Sequence, residues 1–217
     1  MTRSPALVIF DCDGVLVDSE RLTVAVEARV LTELGWPHTP EQVVARWMGR
    51  TSQFQLGEVE ERLGTAAMLE YDARSSAEVH AAFERELRAV DGIEHLLAHL
   101  EDAGVATCVA SSGTHARMRR TLGLTGLRDR FDGRIFSATE VAHGKPAPDL
   151  FLHAAATMGA EPGRCAVIED SVYGVRAGVA AGMAVYGYAG GLTPAAELAA
   201  DGAVVFDEMT DLVDVFG

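Results

Sequence analysis

The 217-residue chain contains a single lysine, no asparagine and only three cysteines. Seventeen of its 18 basic residues are therefore arginine, and the one lysine is Lys145. The cysteines, Cys12, Cys108 and Cys165, are odd in number, far apart and set in apolar runs, which argues against a disulfide framework and predicts reduced, buried thiols. Because arginine supplies nearly every positive charge, the lysine that is kept is a candidate for a functional role.

Positive charge is also scarce, since 32 acidic residues outnumber the 18 basic ones and give a formal charge of −14. A surface with this excess of acid repels the phosphates of nucleic acids and of anionic membranes. We therefore expect neither nucleic acid nor a membrane as a partner.

Long hydrophobic runs are missing as well. The apolar run Ala6–Phe10 ends at Asp11 and is too short for the core of a signal peptide, so we expect a cytoplasmic protein. The uncharged stretch 177–196 contains five glycines and one proline, which predicts a helix end, a buried strand and a turn instead of a membrane span.

The chain does contain a series of short, β-rich apolar runs bounded by turn residues. Their lack of polar–apolar alternation is typical of strands buried on both faces, and helical patterns separate the later ones. This order predicts an α/β fold built on a doubly wound parallel sheet. The predicted strands are Leu7–Phe10, Val105–Ala110, Ala166–Glu169, Met183–Tyr186 and Ala203–Phe206, and the predicted helices around them are Ile93–Leu100, Thr114–Leu122, Pro148–Met158 and Val172–Ala181.

The interval between the first two predicted strands is too long for a simple crossover, which needs about 30 residues. It is polar and helical throughout, so we expect an all-helical domain at residues 19–87, inserted into a core formed by residues 1–18 and 88–217. The predicted helices of the insertion are Ser19–Leu34, Pro40–Trp47, Gln53–Leu63 and Ser76–Arg88.

Carboxylates and hydroxyls follow three of the predicted strands, where α/β sheets bind their ligands. Taken alone, each group has an ordinary interpretation as an acidic turn or a helix cap. The residues are Asp11 and Asp13 after the first strand, Ser111, Ser112 and Gly113 after the second, and Glu169 and Asp170 after the third.

A metal site is expected if the sheet brings the four carboxylates of Asp11, Asp13, Glu169 and Asp170 together. Their mutual repulsion is tolerable only with a cation, and hard oxygen ligands favour Mg²⁺ over zinc. Lys145 lies on a proline-rich loop, where its compact ammonium suits charge neutralisation beside phosphate and carboxylate groups.

Four parts of the sequence resemble, in order, the four motifs of the haloacid dehalogenase superfamily. They are the segment from Phe10 to Glu20, Ser111, Lys145, and Glu169 with Asp170. The resemblance covers the whole chain and points to the β-phosphoglucomutase/phosphoglycolate-phosphatase-like group, which has a helical cap after the first strand. It implies a Rossmann-like core and a phosphatase acting on a small phosphorylated metabolite of the sugar phosphate class.

The resemblance also implies roles for individual residues. Asp11 would be the nucleophile that forms an aspartyl-phosphate, and Asp13 the general acid and then the general base. Mg²⁺ would bind Asp11, the Asp13 carbonyl and Asp170, with Glu169 near it or joined to it through water. The residues that would hold the phosphoryl oxygens are Ser111, Ser112, Gly113 and Lys145.

Two residues of the predicted insertion are candidates for substrate binding. In the family, the loop that corresponds to the one with Arg50 faces the active site, which implies that Arg50 would bind an anionic substrate. A solvated Arg50 side chain is equally compatible with the sequence. Glu20 would hydrogen-bond substrate, although an acid in a first helical turn has its own explanation in the helix dipole.

The alternatives are a phosphoryl-transfer mutase and a non-enzymatic binding protein with the same fold. The β-phosphoglucomutases have a histidine twelve residues after the nucleophile and a lysine in the cap. Here the twelfth residue is Thr23 and the predicted cap has no lysine, which favours hydrolysis. The intact set of Asp11, Asp13, Lys145 and Asp170 argues against a binding protein.

Overall fold

The structure is a computed structural model that describes residues 4–48 and 52–216. The chain divides into two compact units, one formed by Met1–Asp18 with Arg88–Gly217 and the other by Ser19–Leu87. We call them the sheet unit and the helical unit.

The sheet unit contains a six-stranded parallel sheet, which confirms the predicted α/β fold class. The strand order is β3-β2-β1-β4-β5-β6, so the order reverses at β1 and its neighbours. Parallel sheets bind ligands at the carboxyl ends of the strands beside such a reversal. The strands are β1 (Leu7–Phe10), β2 (Ala106–Ser111), β3 (Ile135–Ser137), β4 (Cys165–Glu169), β5 (Ala184–Tyr188) and β6 (Val204–Phe206).

The helical unit consists of α1 (Ser19–Glu33), α2 (Pro40–Trp47), α3 (Ser52–Leu63) and α4 (Thr65–Glu86). The start of α4 differs most from the sequence prediction, which began this helix at Ser76. Tyr71 and Ser75 are buried on the same face as Val79 and Phe83, four residues apart. A tyrosine and a serine on the buried face interrupt the apolar periodicity, which is why the first half of α4 was not predicted.

The helices of the sheet unit are α5 (Ile93–Asp102), α6 (His115–Leu124), α7 (Asp149–Thr157), α8 (Val172–Ala180), α9 (Ala195–Ala200) and α10 (Asp211–Phe216). The elements β3, α9 and α10 were not predicted from the sequence, because elements of three to six residues are too short to show a periodicity. In the part of the chain that the structure describes, no helix is both long and apolar enough to cross a membrane.

The core of the sheet unit explains how its central strand is held. All four residues of β1 are fully buried, and Leu7 pairs with Ala106 on one side and with Cys165 on the other. The three cysteines are free and buried, as expected. Asp11, the residue after β1, is therefore fixed between the ends of β2 and β4.

Candidate active site

The two aspartates after β1 lie in a tight turn at the carboxyl edge of the sheet. The N–H of Asp11 donates to the carbonyl of Ile168 at 3.0 Å, which extends the pairing with β4 by one residue. Gly14 has a φ of +79° and its N–H donates to the carbonyl of Val17 at 2.8 Å. The turn holds Asp11 in place while only 8% of its surface remains exposed.

Lys145 joins the ends of three strands. Its Nζ donates to Oδ1 of Asp11 at 2.5 Å, to Oε1 of Glu169 at 2.5 Å and to the carbonyl of Ala110 at 3.1 Å. An ammonium has three donors, and each finds an oxygen here. The Lys145 side chain is only 5% exposed, and Nζ also lies 4.9 Å from the centre of the Phe151 ring.

The protonation of this pair is set by burial and by mutual attraction. Burial raises the pKa of the Asp11 carboxyl to about 7, against the opposing effect of Lys145. Burial alone would lower the pKa of Lys145, but the carboxylates of Asp11 and Glu169 outweigh it and raise that pKa. Lys145 is therefore a positive charge at neutral pH.

Glu169 fixes Lys145 from the opposite side. While Oε1 accepts from Lys145, Oε2 accepts from the N–H of Ser171 at 3.1 Å and from its hydroxyl at 2.9 Å. The hydroxyl of Ser171 caps α8 by accepting from the N–H of Gly174 at 3.0 Å. Gly174 is required here, since a Cβ on it would overlap the Glu169 carboxylate.

Asp170 brings a further carboxylate to the turn after β1. It is 2% exposed, and a Cβ on Gly14 would overlap its Oδ2 atom. Gly191 lies on the other side, where a Cβ would be 3.4 Å from the same oxygen. Glycine at these positions therefore allows the carboxylate to approach the backbone beside Asp13.

The loop after β2 forms a strand-to-helix turn, as predicted. Ser111 is buried, and its Oγ accepts from the N–H of Gly113 at 3.2 Å, whereas Ser112 is exposed. The carbonyl of Gly113 accepts from the hydroxyl of Ser137 at 2.7 Å. These bonds fix the loop at the same edge of the sheet as Asp11.

Arg117 is a site residue that sequence analysis missed. Its Nε donates to Oδ2 of Asp13 at 3.2 Å and its Nη2 donates to Oδ1 at 3.0 Å. A signal was present, because an arginine in the first turn of α6 faces the positive end of the helix dipole and is unfavourable there without a partner.

The sequence matches a family of known proteins. A family model for haloacid dehalogenase-like hydrolases matches residues 5–182. The chain belongs to this family.

Similar proteins cover most of this haloacid dehalogenase-like hydrolase. It is 34% identical over 187 residues to the 6-phosphogluconate phosphatase of Escherichia coli (strain K12), covering 86% of this chain and 83% of that one. Because such relatives are named phosphatases, the predicted class of enzyme, a phosphoric monoester hydrolase, is confirmed.

Two solved structures of haloacid dehalogenase-like proteins share the fold. One, from Agrobacterium tumefaciens strain C58, is 37% identical with a TM-score of 0.85, covering 97% of this chain and 96% of that one. The other, a family hydrolase from Deinococcus radiodurans R1 with bound phosphate and sodium, is 31% identical with a TM-score of 0.83, covering 96% and 93%.

The family implies a magnesium ion, and the chemistry of the site fits one. Asp11, Glu169 and Asp170 are buried at one edge of the sheet, while Lys145 contributes a single positive charge against them. Carboxylate oxygens are ligands that Mg²⁺ prefers. Among the described residues, no three His, Cys, Asp or Glu side chains form a group that could hold a metal ion. The ligand set that the resemblance implies has only two carboxylates and one carbonyl, so it is compatible with that finding.

The two candidate substrate-binding residues fall within the segment Ser19–Leu87. Glu20 lies in the first turn of α1 in the helical unit. Arg50 falls outside the described residues.

Proposed function

We propose that this protein is a Mg²⁺-dependent phosphatase that hydrolyses a small phosphorylated metabolite, of the sugar phosphate class, through an aspartyl-phosphate on Asp11. The observation that carries the proposal is the contact of the buried Asp11 carboxylate with Lys145. Asp13, the proposed proton donor, lies two residues after Asp11. Because one ammonium holds this buried carboxylate, its oxygens keep a fixed orientation from which to attack phosphorus. Fixed direction and nearby positive charge are what phosphoryl transfer requires of a protein.

The residues would divide the reaction into two steps. In the first, a carboxylate oxygen of Asp11 bonds to phosphorus, the bond to the leaving oxygen breaks, and Asp13 gives that oxygen its proton. In the second, Asp13 takes a proton from water, the water oxygen bonds to phosphorus, and the bond to Asp11 breaks. Ser111 and Gly113 would hold the phosphoryl oxygens, with Ser112 at the exposed side of the loop. Lys145, whose three N–H groups already donate to protein oxygens, would act on the phosphoryl group through its positive charge.

Magnesium would be held by Asp11, Asp170 and the main-chain carbonyl of Asp13, where it would offset the charge of the phosphoryl group. Both oxygens of Glu169 already accept hydrogen bonds from Lys145 and Ser171, so Glu169 would act by positioning Lys145. The phosphate in the Deinococcus radiodurans relative supports an anion site in a fold of this kind.

We assign substrate selection to residues 19–87, as a cap domain in which Glu20 and Arg50 are the candidate contacts. The E. coli relative that acts on 6-phosphogluconate supports a sugar phosphate or sugar acid phosphate as the substrate class. Hydrolysis is favoured over mutase chemistry because Thr23 stands where mutases have histidine. Its hydroxyl donates to the carbonyl of Ser19 at 2.9 Å, within its own helix.

The experiment is a phosphate-release assay on a panel of sugar phosphates that includes 6-phosphogluconate, with Mg²⁺ or with EDTA. We expect release with Mg²⁺, none with EDTA, a higher Mg²⁺ requirement in Asp170→Ala, and none from Asp11→Asn. Near-wild-type turnover by Asp11→Asn, free of deamidation, would refute the nucleophile. Glucose 6-phosphate formed from β-glucose 1-phosphate and a bisphosphate primer, faster than free phosphate, would favour the mutase.

A further inference from the structure

The contact between Arg117 and Asp13 is bidentate. Two different N–H groups of one guanidinium reach the two oxygens of one carboxylate, at 3.2 and 3.0 Å. A planar guanidinium that pairs with a planar carboxylate in this way fixes both the position and the rotation of the carboxylate. The group restrained is the one to which the proposed function gives both proton transfers.

The path of the Arg117 side chain is itself determined by the phosphate loop. The backbone N–H of Arg117 donates to the hydroxyl of Thr114, the N-cap of α6, at 3.3 Å. A Cβ on Gly113 would lie 3.5 Å from Cδ of Arg117 and 3.8 Å from Oδ2 of Asp13. The arginine therefore crosses the loop at Gly113 and connects it to Asp13, 104 positions away in sequence.

Stability alone does not explain this pair. The side chains of Arg117 and Asp13 are 40% and 20% exposed, and an ion pair this accessible to water contributes little to folding. Arginine in a first helical turn is unfavourable with the helix dipole. A position that costs stability and contacts a reacting group suggests a role in the reaction.

We propose that Arg117 is a positioning residue that orients the Asp13 carboxyl for proton transfer, an inference that rests on the proposed function. Oδ2 lies nearer the phosphate loop and is the oxygen we assign to the proton. In the first step the Oδ2–H bond breaks, the proton goes to the leaving oxygen, and Oδ1 keeps its bond to Nη2. In the second step Oδ2 accepts a proton from the attacking water.

The test compares two leaving groups. A sugar alkoxide needs a proton to leave, whereas p-nitrophenolate does not. In Arg117→Ala we expect kcat/KM for the sugar phosphate to fall roughly tenfold or more, a part of the ~10²–10⁴ that general acid–base catalysis contributes. For p-nitrophenyl phosphate we expect a change below about threefold, since general acid catalysis adds little there. Arg117→Lys keeps the positive charge but loses the planar guanidinium that pairs with both carboxylate oxygens, so its kcat/KM should lie between those of wild type and Arg117→Ala.

A double-mutant comparison separates positioning from damage to the fold. Because Arg117 acts through Asp13, adding Arg117→Ala to Asp13→Asn should not lower activity further. Arg119→Ala, an exposed arginine on the same helix, is the matched control and should behave as wild type. The circular dichroism spectrum and the melting temperature of each variant establish that it is folded.

Five outcomes would overturn the proposal. An equal fall in kcat/KM for both substrates would mean that Arg117 acts through the fold. The same would follow if the losses of activity from Arg117→Ala and Asp13→Asn were additive in the double mutant. A rise in KM at unchanged kcat would mean that it binds substrate. Wild-type activity in Arg117→Ala, with Asp11→Asn inactive, would overturn the role of Arg117 and leave the proposed function standing. A wild-type protein that releases no phosphate would overturn both.

Discussion

At the scale of single residues, the contacts of Lys145 explain why a lysine stands at this position in a chain that otherwise uses arginine. Its ammonium donates to three oxygens that come from the turn after β1, from β2 and from the end of β4. Those acceptors converge on a point, which a compact ammonium can occupy and a planar guanidinium with five divergent donors cannot. Elsewhere in the chain the positive charges lie on arginine, so the choice of lysine here follows from geometry and not from charge.

We therefore predict that Lys145→Arg loses nearly as much activity as Lys145→Ala. Removing one preorganised charge donor from a transition state costs about 10²–10³-fold in kcat. The wider guanidinium should also separate Asp11 from Glu169. The measurement is kcat for both variants at saturating Mg²⁺, with Arg119→Lys as a control for an arginine–lysine exchange at the surface. Retention of most activity in Lys145→Arg would mean that only the charge matters.

At the scale of elements, the first turn of α8 sets the position of Glu169 and, through it, of Lys145. Ser171 supplies two donors to the carboxylate, and Gly174 leaves room for it against the helix. The start of α8 thus holds Glu169, Glu169 holds Lys145, and Lys145 contacts Asp11.

The prediction at this scale is that Gly174→Ala destabilises the protein and reduces activity together. Overpacking costs about 1–3 kcal/mol in free energy of unfolding, and the methyl group would push Glu169 away from Lys145. Gly123→Ala in α6 is the matched control, because nothing lies within 4 Å of a Cβ there. That variant should be neutral or more stable by up to about 1 kcal/mol. The measurements are the free energy of unfolding in urea and kcat for both variants. A Gly174→Ala protein that is as active and stable as wild type would contradict the packing of Glu169 against α8.

Elements also show how far the sequence could predict the site. Asp11, Lys145 and the residues that end β4 could be found, because each follows an apolar run or is unique in composition. The position of Arg117 in the first turn of α6 gave a signal, but its partner could not be found, because Asp13 lies 104 positions away and follows β1, which pairs with β2. Such long-range pairing leaves no periodic signal in the local sequence. The first half of α4 was missed for a different reason, the polar residues on its buried face.

At the scale of the whole molecule, two compact units each have buried residues of their own. Val59 of α3 and Val167 of β4 are both fully buried, one in each unit. The helical unit has only about 70 residues, and small units bury a smaller fraction of their surface and are less stable. Both tryptophans, Trp36 and Trp47, lie in it.

We predict that tryptophan fluorescence reports the unfolding of the helical unit at a lower urea concentration than the loss of ellipticity from the rest. Val59→Ala should lower the free energy of unfolding of the helical unit by about 1–3 kcal/mol, and with it the fluorescence midpoint. Val167→Ala, the same exchange in the sheet unit, should lower the second transition and leave the fluorescence midpoint in place. Coincident transitions that both variants shift equally would show that the two units unfold as one.

The proposed mechanism requires that Asp11 becomes phosphorylated during turnover. The direct measurement is rapid acid quench of the enzyme with ³²P-labelled substrate and Mg²⁺, followed by borohydride reduction and peptide mass spectrometry. An acyl phosphate on Asp11 would be reduced to homoserine, so we predict transient label on the protein and homoserine at position 11. Phosphate release with no labelled protein, or label at another residue such as Ser111, would contradict the account.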